Sequence, residues 1–245
     1  SYIIGITLFM IAIGLMIFGV HSLSQSTGAS FTTMFSPASS LTQSIPQDKE
    51  KHDFPQLTKK VNKNETEIKI ATTFGTIRAK VFPDLAPKAV ENFITHSKEG
   101  YYDETTFHRI LSNFMIQGGD PKGDGTGGES IWGEPFETEI SSQLFHIRGA
   151  LAMAKPNAPV SIGSQFYIVQ NPSDVSKLAN PSTTPTKIME AYASGGYPSL
   201  DQNYTVFGQV IEGMNVVDEI SNVKTDSLGK ALKEVKIESI EVIER

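Results

Sequence analysis

Hydrophobic and polar residues alternate along most of the chain after residue 65, and a period of two is typical of β-strands with one buried face. The runs at 67–73 and 76–82 flank Phe74-Gly75, which predicts a β-hairpin. Further strands are predicted from alternation or from short apolar runs, at residues 106–111, 114–117, 149–154, 165–169, 205–210 and 235–243. Together with the hairpin they make about eight strands.

Helices are predicted at only three places in this part of the chain. Pro87 suits the first turn of a helix that ends near Glu99, and Gly100 follows as a C-terminal cap. The segments 186–193 and 214–220 predict two more helices. Many short strands with few helices favour a mainly β fold, in which a closed, eight-stranded antiparallel barrel is capped by helices.

The N-terminal part of the chain differs in composition from the rest. Residues 2–20 carry no charge and are almost entirely apolar, and about 19 such residues can cross a bilayer as a helix. We therefore predict a hydrophobic helix in residues 1–21 that anchors the protein to a membrane. A cleaved secretion signal is the main alternative, and a buried helix of a soluble protein fits less well because the segment has no polar face.

The next segment has the composition of a tether. Residues 22–64 are rich in Ser, Thr and Gln and predict a flexible linker. The globular domain is therefore predicted at residues 65–245. Whether the N-terminal segment is retained or cleaved, we expect this domain outside the cytoplasm, anchored to the cell membrane or secreted.

Charge and cysteine content exclude several classes of function. The formal net charge of −6 and the dispersed lysines argue against a nucleic-acid partner. The absence of cysteine excludes disulfides, a thiolate nucleophile and cysteine-bound zinc. His108 and His146 lack a second histidine at the spacing of a zinc site, so we expect no metal.

The glycine-rich run GGDPKGDGTGG, residues 118–128, matches neither a phosphate loop nor a calcium loop. It lacks the Gly-Lys-Ser/Thr ending of a P-loop. Asp120 and Asp124 do not fall at the alternating positions of a calcium loop, and no glutamate occupies its twelfth position. Ser164 lacks the flanking glycines of a nucleophile elbow, so it is not predicted to be a nucleophile.

Arg109 is the unexpected residue in the apolar stretch FHRILSNFMIQ, residues 107–117. Arginine is rarely fully buried without a partner. Its side chain either folds over the core and keeps its head in water, or holds a guanidinium beside an apolar pocket. The residue types alone leave both interpretations open.

Four separated motifs resemble those of the cyclophilins and occur in the same order. They are FHRILSNFMIQGGDPKGDGTGG at 107–128, GALAMA at 149–154, GSQFYIV at 163–169 and YTVFGQVIEGMNVVDEI at 204–220. The resemblance covers nearly all of the predicted domain. It implies a peptidyl-prolyl cis-trans isomerase built on an eight-stranded barrel capped by two helices, in agreement with the predicted strands. It also favours the second interpretation of Arg109.

The resemblance implies a site that needs no cofactor. Arg109 matches the catalytic arginine of the family's Phe-His-Arg motif, and Gln117 matches the glutamine that orients it and the substrate backbone. Tyr204 stands where many members have histidine and is the third catalytic candidate. The groove and the proline pocket are implied for six further residues: Phe114, Met115, Ala154, Gln165, Tyr167 and Leu200.

The chain departs from the family pattern at several of these positions. Tyr204 replaces the histidine, Lys155 replaces a frequent asparagine, and Tyr167 stands where phenylalanine is common. Ser199 occupies the place of a common tryptophan, so cyclosporin binding is expected to be weakened. Residues 171–197 form a longer segment than in the smallest members and look similar to surface-exposed cyclophilins of Gram-positive bacteria. This segment is either a loop insertion with a short helix or a contact for substrates or partners.

The predicted function is therefore isomerisation of Xaa-Pro bonds. The expected partners are proline-containing segments of unfolded or newly exported proteins, together with the membrane through the N-terminal segment. Because Tyr204, Ser199 and Lys155 depart from the family pattern, a proline-peptide-binding chaperone with weak turnover remains an alternative. A surface interaction module that uses residues 171–197 is a further one.

Overall fold

The computed structural model describes residues 54–243, and these residues form ten strands and three α-helices. The strands are β1 (Thr66–Thr72), β2 (Gly75–Val81), β3 (Arg109–Leu111), β4 (Met115–Gly118), β5 (Phe136–Glu137), β6 (Ala150–Met153), β7 (Val160–Ile162), β8 (Phe166–Val169), β9 (Val206–Glu212) and β10 (Ile237–Ile243). The helices are α1 (Pro87–Lys98), α2 (Thr186–Tyr192) and α3 (Met214–Ser221).

Eight of these strands form one curled antiparallel sheet, in the order β10-β1-β2-β9-β6-β8-β4-β3. The expected closure of the barrel is wrong, because the edge strands β10 and β3 do not pair along their length. Only a short bridge joins the chain before β3 to the start of β10, through main-chain hydrogen bonds from Phe107 N to Val235 O (2.9 Å) and from Ile237 N to Thr105 O (2.8 Å). The architecture is an open, curled sheet with the expected eight strands.

The loop that leads into β10 explains why β3 stays short and unpaired on one side. The Ile110 amide, in the middle of β3, donates to the carbonyl of Gly229 at 2.7 Å. Gly229 lies in that loop and has a φ of 85°, in the left-handed region that favours glycine. The loop therefore occupies the edge of β3 where a strand would otherwise continue the sheet.

The core lies between the sheet and two of the helices. In β1, Ile68 and Ile70 are fully buried while Lys69 between them is exposed, which is the alternation seen in the sequence. Helix α1 contacts β10, and α3 contacts β2, β3 and β4. Phe93 of α1 and Val217 of α3 are fully buried in the same core. The sequence analysis expected two capping helices without saying which of the three predicted helices they are, and the structure places α1 and α3 against the sheet.

Most predicted elements are confirmed, and each predicted strand segment overlaps a strand. The three helices begin at the predicted residues and end within one residue of the predicted ends. Strands β5 and β7 were not predicted. They contain two and three residues and pair only with each other, so they are too short for alternation to be recognised.

The packed body begins before the predicted domain boundary at Glu65. Phe54 is buried, and its ring lies edge-on to that of Phe145 at 6.1 Å. The side chain of Gln56 donates to the Phe145 carbonyl at 2.9 Å and accepts the Phe145 amide at 2.7 Å. Phe54 and Gln56, which the sequence analysis placed in the linker, therefore pack against the folded body.

Residues 171–197 form a packed unit with a small core of its own. Ile188 and Tyr192 on α2 are fully buried, and Val175 from the start of the segment packs with them at 7% exposure. They pack against Phe145 and Ile147, which precede β6. The segment is therefore held against the barrel by apolar contacts as well as by its two ends.

The predicted anchor and most of the predicted linker, residues 1–53, lie outside the described residues. No helix between residues 54 and 243 is both long and apolar enough to cross a membrane.

Candidate active site

Three polar side chains form a hydrogen-bonded row that runs from β3 across β4 to Gln165, the residue before β8. Arg109 on β3 lies opposite Gln117 on β4, and its Nη1 donates to Gln117 Oε1 at 3.3 Å. Gln117 Nε2 donates to Gln165 Oε1 at 2.9 Å. Gln165 Nε2 in turn donates to the carbonyls of Gly127 at 2.8 Å and Gly125 at 3.1 Å. The row thus runs from the glycine-rich loop to the guanidinium.

The groups at the two ends of this row determine the orientation of the side-chain amides of Gln117 and Gln165. A guanidinium can only donate, so Gln117 must present its oxygen to Arg109 and its nitrogen to Gln165. A main-chain carbonyl can only accept, so Gln165 must present its nitrogen to the loop and its oxygen to Gln117. Both requirements are met at once, and each amide is held in one orientation.

The glycine-rich loop is itself held in place by Asp120. This fully buried carboxylate accepts main-chain N–H groups of Lys122 at 2.8 Å and Gly125 at 2.7 Å. Gly119 has a φ of 82°, and a Cβ there would lie 2.7 Å from the Ser164 carbonyl. The glycines of the run therefore allow a tight loop whose carbonyls hold Gln165, and not a phosphate cradle.

Arg109 is a half-buried cation without a carboxylate partner among residues 54–243. Burial lowers the pKa of Arg109, and the nearby Tyr204 partly opposes this effect. The guanidinium nevertheless stays protonated because arginine is not deprotonated in proteins. One of its N–H groups is used by Gln117, and the others have no hydrogen-bond partner in the described part of the chain.

An apolar cluster lies next to this row. Its buried members include Met115, Tyr167 and Leu200, which are 1%, 5% and 6% exposed. The cluster is adjacent to the row because Tyr167 lies opposite Gln117 in the β4–β8 register. The cluster contains six predicted site residues, which are Met115, Tyr167, Leu200, Phe114, Ala154 and Tyr204.

Three partly exposed aromatic rings stand at the rim of the cluster. The Phe114 ring packs on Tyr197, with 4.3 Å between the ring centroids, so the end of the 171–197 segment reaches the site. The Tyr204 ring lies edge-on to Tyr167 at 6.2 Å, and Lys155 Nζ lies 5.0 Å from its centroid. A cation at that distance from an aromatic face is attracted by it.

The structure also shows polar contacts that the sequence analysis did not identify. His146, which is buried, bonds through Nε2 to the Tyr167 hydroxyl at 3.0 Å and through Nδ1 to Asp201 Oδ1 at 2.9 Å. Tyr192 donates to the other oxygen of Asp201 at 2.5 Å. No local motif could have revealed these contacts, since Tyr167 and Asp201 lie 21 and 55 residues from His146.

The structure thus brings all nine predicted site residues together, although their roles stay predictions. The sequence analysis missed several apolar members of the cluster, namely Phe82, Leu85, Leu111, Leu144, Ala150, Val169, Tyr197 and Val206. They are ordinary core-type residues whose sequence pattern does not separate a pocket wall from barrel interior. Among residues 54–243 no group of His, Asp and Glu side chains is placed to hold a metal ion.

Comparisons with known proteins identify the family. The family model for cyclophilin type peptidyl-prolyl cis-trans isomerase/CLD matches residues 67–242. A protein of Staphylococcus saprophyticus, named as a peptidyl-prolyl cis-trans isomerase, is 49% identical over 197 residues that cover 78% of this chain and 99% of the relative. A protein of Staphylococcus aureus strain COL with the same name is 47% identical over 196 residues, with the same coverage of both chains.

Solved structures agree with this assignment. A crystal structure of a cyclophilin type peptidyl-prolyl cis-trans isomerase from Cryptosporidium parvum has a TM-score of 0.62 and 32% identity, over 74% of this chain and 99% of that one. A second crystal structure of that protein, obtained in the presence of the dipeptide Ala-Pro, has a TM-score of 0.61 and 32% identity, over 73% of this chain and 99% of the other. The chain therefore belongs to the cyclophilin-type peptidyl-prolyl cis-trans isomerases.

Proposed function

We propose that Arg109 catalyses the rotation of an Xaa-Pro bond whose proline ring occupies the neighbouring apolar cluster. The observation that carries this proposal is the guanidinium beside that cluster, which has N–H donors without a hydrogen-bond partner among residues 54–243. Gln117 and Gln165 hold the guanidinium in a fixed direction, so it need not reorganise when the substrate binds.

The reaction itself explains why such a donor is useful. The peptide C–N bond has partial double-bond character, with a barrier to rotation of about 18–20 kcal/mol. During rotation the prolyl nitrogen loses conjugation with the carbonyl, and its lone pair becomes able to accept a hydrogen bond. A donor aimed at that nitrogen stabilises the twisted state more than either planar state, and only such differential stabilisation speeds the rotation.

Arginine suits this task better than an ordinary acid would. It carries several N–H donors in a planar fork, so one group can face the nitrogen while another holds a neighbouring carbonyl. It does not transfer a proton, and no covalent bond to the protein is formed. The reaction therefore requires no nucleophile and no cofactor.

The apolar cluster has a separate role in the proposal. Met115, Tyr167 and Leu200 bury the pyrrolidine ring, while Phe114 and Ala154 line the rim of the pocket. Removing the apolar surface of the ring from water provides the binding free energy, at about 25 cal/mol per Å² buried. The proline is thereby held while the residue before it swings.

The test is exchange NMR on a short Ala-Pro peptide with the full chain and its Arg109→Ala variant. We expect catalysed exchange in the parent. In the variant the catalysed rate should fall about 100-fold, which is typical when an enzyme loses a hydrogen-bond donor to the transition state. Peptide affinity, measured by titration, should change little. Exchange at the parent rate in the variant would contradict the proposal. Saturable binding without exchange in the parent would instead support the peptide-binding chaperone.

We also propose that the enzyme acts outside the cytoplasm, tethered to the membrane, on exported proteins. The apolar, uncharged residues 2–20 and the linker-like composition that follows support this proposal. Cells that produce the full chain should carry it in the membrane fraction, where external protease reaches the domain. A chain without residues 2–20 is the control. Recovery of the full chain in the cytosolic fraction would contradict the tether.

A further inference from the structure

We propose that His146 is a positioning residue that fixes Tyr167 in the floor of the proline pocket and couples the pocket to residues 171–197. Four side chains carry this inference, namely Tyr192, Asp201, His146 and Tyr167, and we call them the His146 relay. The inference rests on the proposed function of the apolar cluster. It adds a residue that lies behind the pocket and outside the motifs that resemble the family.

The hydrogen bonds of His146 determine its tautomer. Its Nδ1 lies 2.9 Å from Asp201 Oδ1, and a carboxylate can only accept, so Nδ1 carries the proton. In the neutral ring Nε2 is then an acceptor, and the Tyr167 hydroxyl at 3.0 Å must be the donor. Burial raises the pKa of Tyr167 well above its usual range, which keeps that hydroxyl protonated.

Asp201 connects His146 to the inserted segment. Its Oδ1 also accepts the His146 main-chain N–H at 2.8 Å, and its Oδ2 accepts the Tyr192 hydroxyl at 2.5 Å. Tyr192 belongs to α2 and is fully buried in the small core of the segment. The carboxylate is therefore held by groups from the barrel and from the insertion at the same time.

The relay matters for substrate because a buried hydroxyl needs a partner. Tyr167 lies opposite both Gln117 and Ala152 in the sheet, and its ring belongs to the pocket cluster. A tyrosine hydroxyl left without an acceptor here would be unfavourable and would seek one elsewhere, with a movement of its ring. His146 supplies that acceptor from outside the cluster, so the ring can present its apolar surface to proline.

The position of Tyr167 predicts which kinetic constant changes. The relay makes no hydrogen bond to Arg109 or Gln117, so its loss should weaken peptide binding and leave the turnover of bound peptide almost unchanged. The effect should also depend on the Tyr167 hydroxyl, since a phenylalanine at that position needs no acceptor.

The first test is nitrogen-15 NMR of the His146 ring in the full, otherwise unaltered chain. We expect the neutral Nδ1–H tautomer, and we expect the Nε2 resonance to shift in the Tyr167→Phe variant. A ring protonated at Nε2 in the neutral state would overturn the proposal. This measurement does not depend on whether a His146 variant folds.

The second test is a double-mutant cycle between His146→Phe and Tyr167→Phe, with peptide affinity and kcat measured by NMR. His146→Phe alone should weaken Ala-Pro peptide binding about fivefold, within the usual range of coupling between contacting residues, with kcat within about twofold. In the Tyr167→Phe background the same substitution should have no further effect on affinity. Equal losses in both backgrounds would show that His146 has a general structural role only, and would overturn the proposal.

Matched variants of α2 separate the relay from the stability of the segment. Tyr192→Phe removes only the hydroxyl that bonds to Asp201, and should weaken peptide binding less than His146→Phe does. Ile188→Val removes one methyl group from the same small core and leaves every hydrogen bond of the relay in place. If both substitutions changed affinity equally, the coupling through Asp201 would be refuted.

The outcome can be distinguished from a failure of the proposed function. If Leu200→Ala leaves peptide affinity unchanged, the apolar cluster is not the proline pocket, and the proposed function fails. If Leu200→Ala weakens binding but the cycle is additive, the pocket stands and only the role of His146 is wrong.

Discussion

Two cations at the interior of this protein differ in what surrounds them. Lys80 on β2 has no exposed surface, and its Nζ lies 3.0 Å from the Glu65 carboxylate and 2.7 Å from the Lys60 carbonyl. Arg109 on β3 is half-buried, and among residues 54–243 its guanidinium donates one hydrogen bond, to the amide oxygen of Gln117 at 3.3 Å. Both side chains extend from strands of the same sheet.

The difference agrees with two separate roles, a structural one for Lys80 and the proposed catalytic one for Arg109. The charge of Lys80 is balanced by a carboxylate, so its donors are used and it ties the segment before β1 to the barrel. A carboxylate beside Arg109 would in the same way occupy the donors that a substrate needs. A neutral amide orients the guanidinium without neutralising it. We therefore expect stability to depend on the Lys80 region and turnover to depend on the Arg109 region.

The largest effect on stability is expected from Lys80→Met. The substitution leaves the buried Glu65 carboxylate without its cation, and removing one partner of a buried pair costs about 3–5 kcal/mol. Urea unfolding should show this loss in the free energy of unfolding. The kcat of the folded variant should match the parent, because Lys80 makes no hydrogen bond to the row of Arg109, Gln117 and Gln165.

Glu65→Gln is the matched control for this prediction, because it keeps the shape of the side chain and removes its charge. Like Lys80→Met, it should lower the free energy of unfolding. A folded Lys80→Met variant with strongly reduced kcat would show that the two regions are not separable in this way.

A smaller effect, on turnover, is expected from Gln165→Leu. This change removes the anchor of Gln117 on the glycine-rich loop, so the guanidinium loses its fixed direction. We expect kcat to fall about tenfold, which corresponds to about 1.4 kcal/mol of barrier. Exchange NMR at a saturating concentration of peptide measures this change in kcat.

Gln209→Leu provides the control for the loss of glutamine hydrogen bonds. Gln209 donates to the Arg148 carbonyl at 2.8 Å and accepts from Gln56 at 2.9 Å, away from the polar row. Its loss should lower stability and leave kcat unchanged. Equal effects of the two substitutions on kcat would argue against a directional role for Gln165.

The smallest effect concerns the pH dependence of stability. Burial lowers the pKa of His108 from an ordinary value of 6.5, with Asp120 opposing this, and burial also lowers the pKa of His96. These histidines therefore bind protons more readily in the unfolded chain than in the folded protein. The stability contributed by the neutral rings is complete above pH 6.5 and is lost as the pH falls below that value. The Tm should decrease between pH 7 and about 5.5, less steeply in His108→Asn. A pH-independent Tm in the parent would contradict this.

The sequence predicted the fold well where a pattern extends over several residues. Alternation in 67–73 and 76–82 indicated the hairpin, and Pro87 marked the start of α1. The open edge of the sheet was not predictable. It depends on a hydrogen bond from the Ile110 amide to the carbonyl of Gly229, which lies 119 residues later in the chain. Pairings at such a distance leave no local signature.

The candidate site was predictable for a different reason. Arg109, Gln117 and Gln165 were found through separated motifs that match a family, and alternation alone would have left Arg109 as a rim residue. The role of the glycine-rich loop required the structure, since its carbonyls and not its amides hold the site. His146 was missed because Asp201 and Tyr167 become its neighbours only on folding.

The proposed role of Arg109 requires that no carboxylate among residues 54–243 neutralises it, and Gln117→Glu tests this most directly. The substitution keeps the size of the side chain and places a carboxylate beside the guanidinium, as Glu65 stands beside Lys80. Turnover of a saturating Ala-Pro peptide by the full chain should fall about tenfold or more, with no loss of thermal stability. Turnover at the parent rate, with the introduced carboxylate shown by NMR to be ionised, would contradict the account.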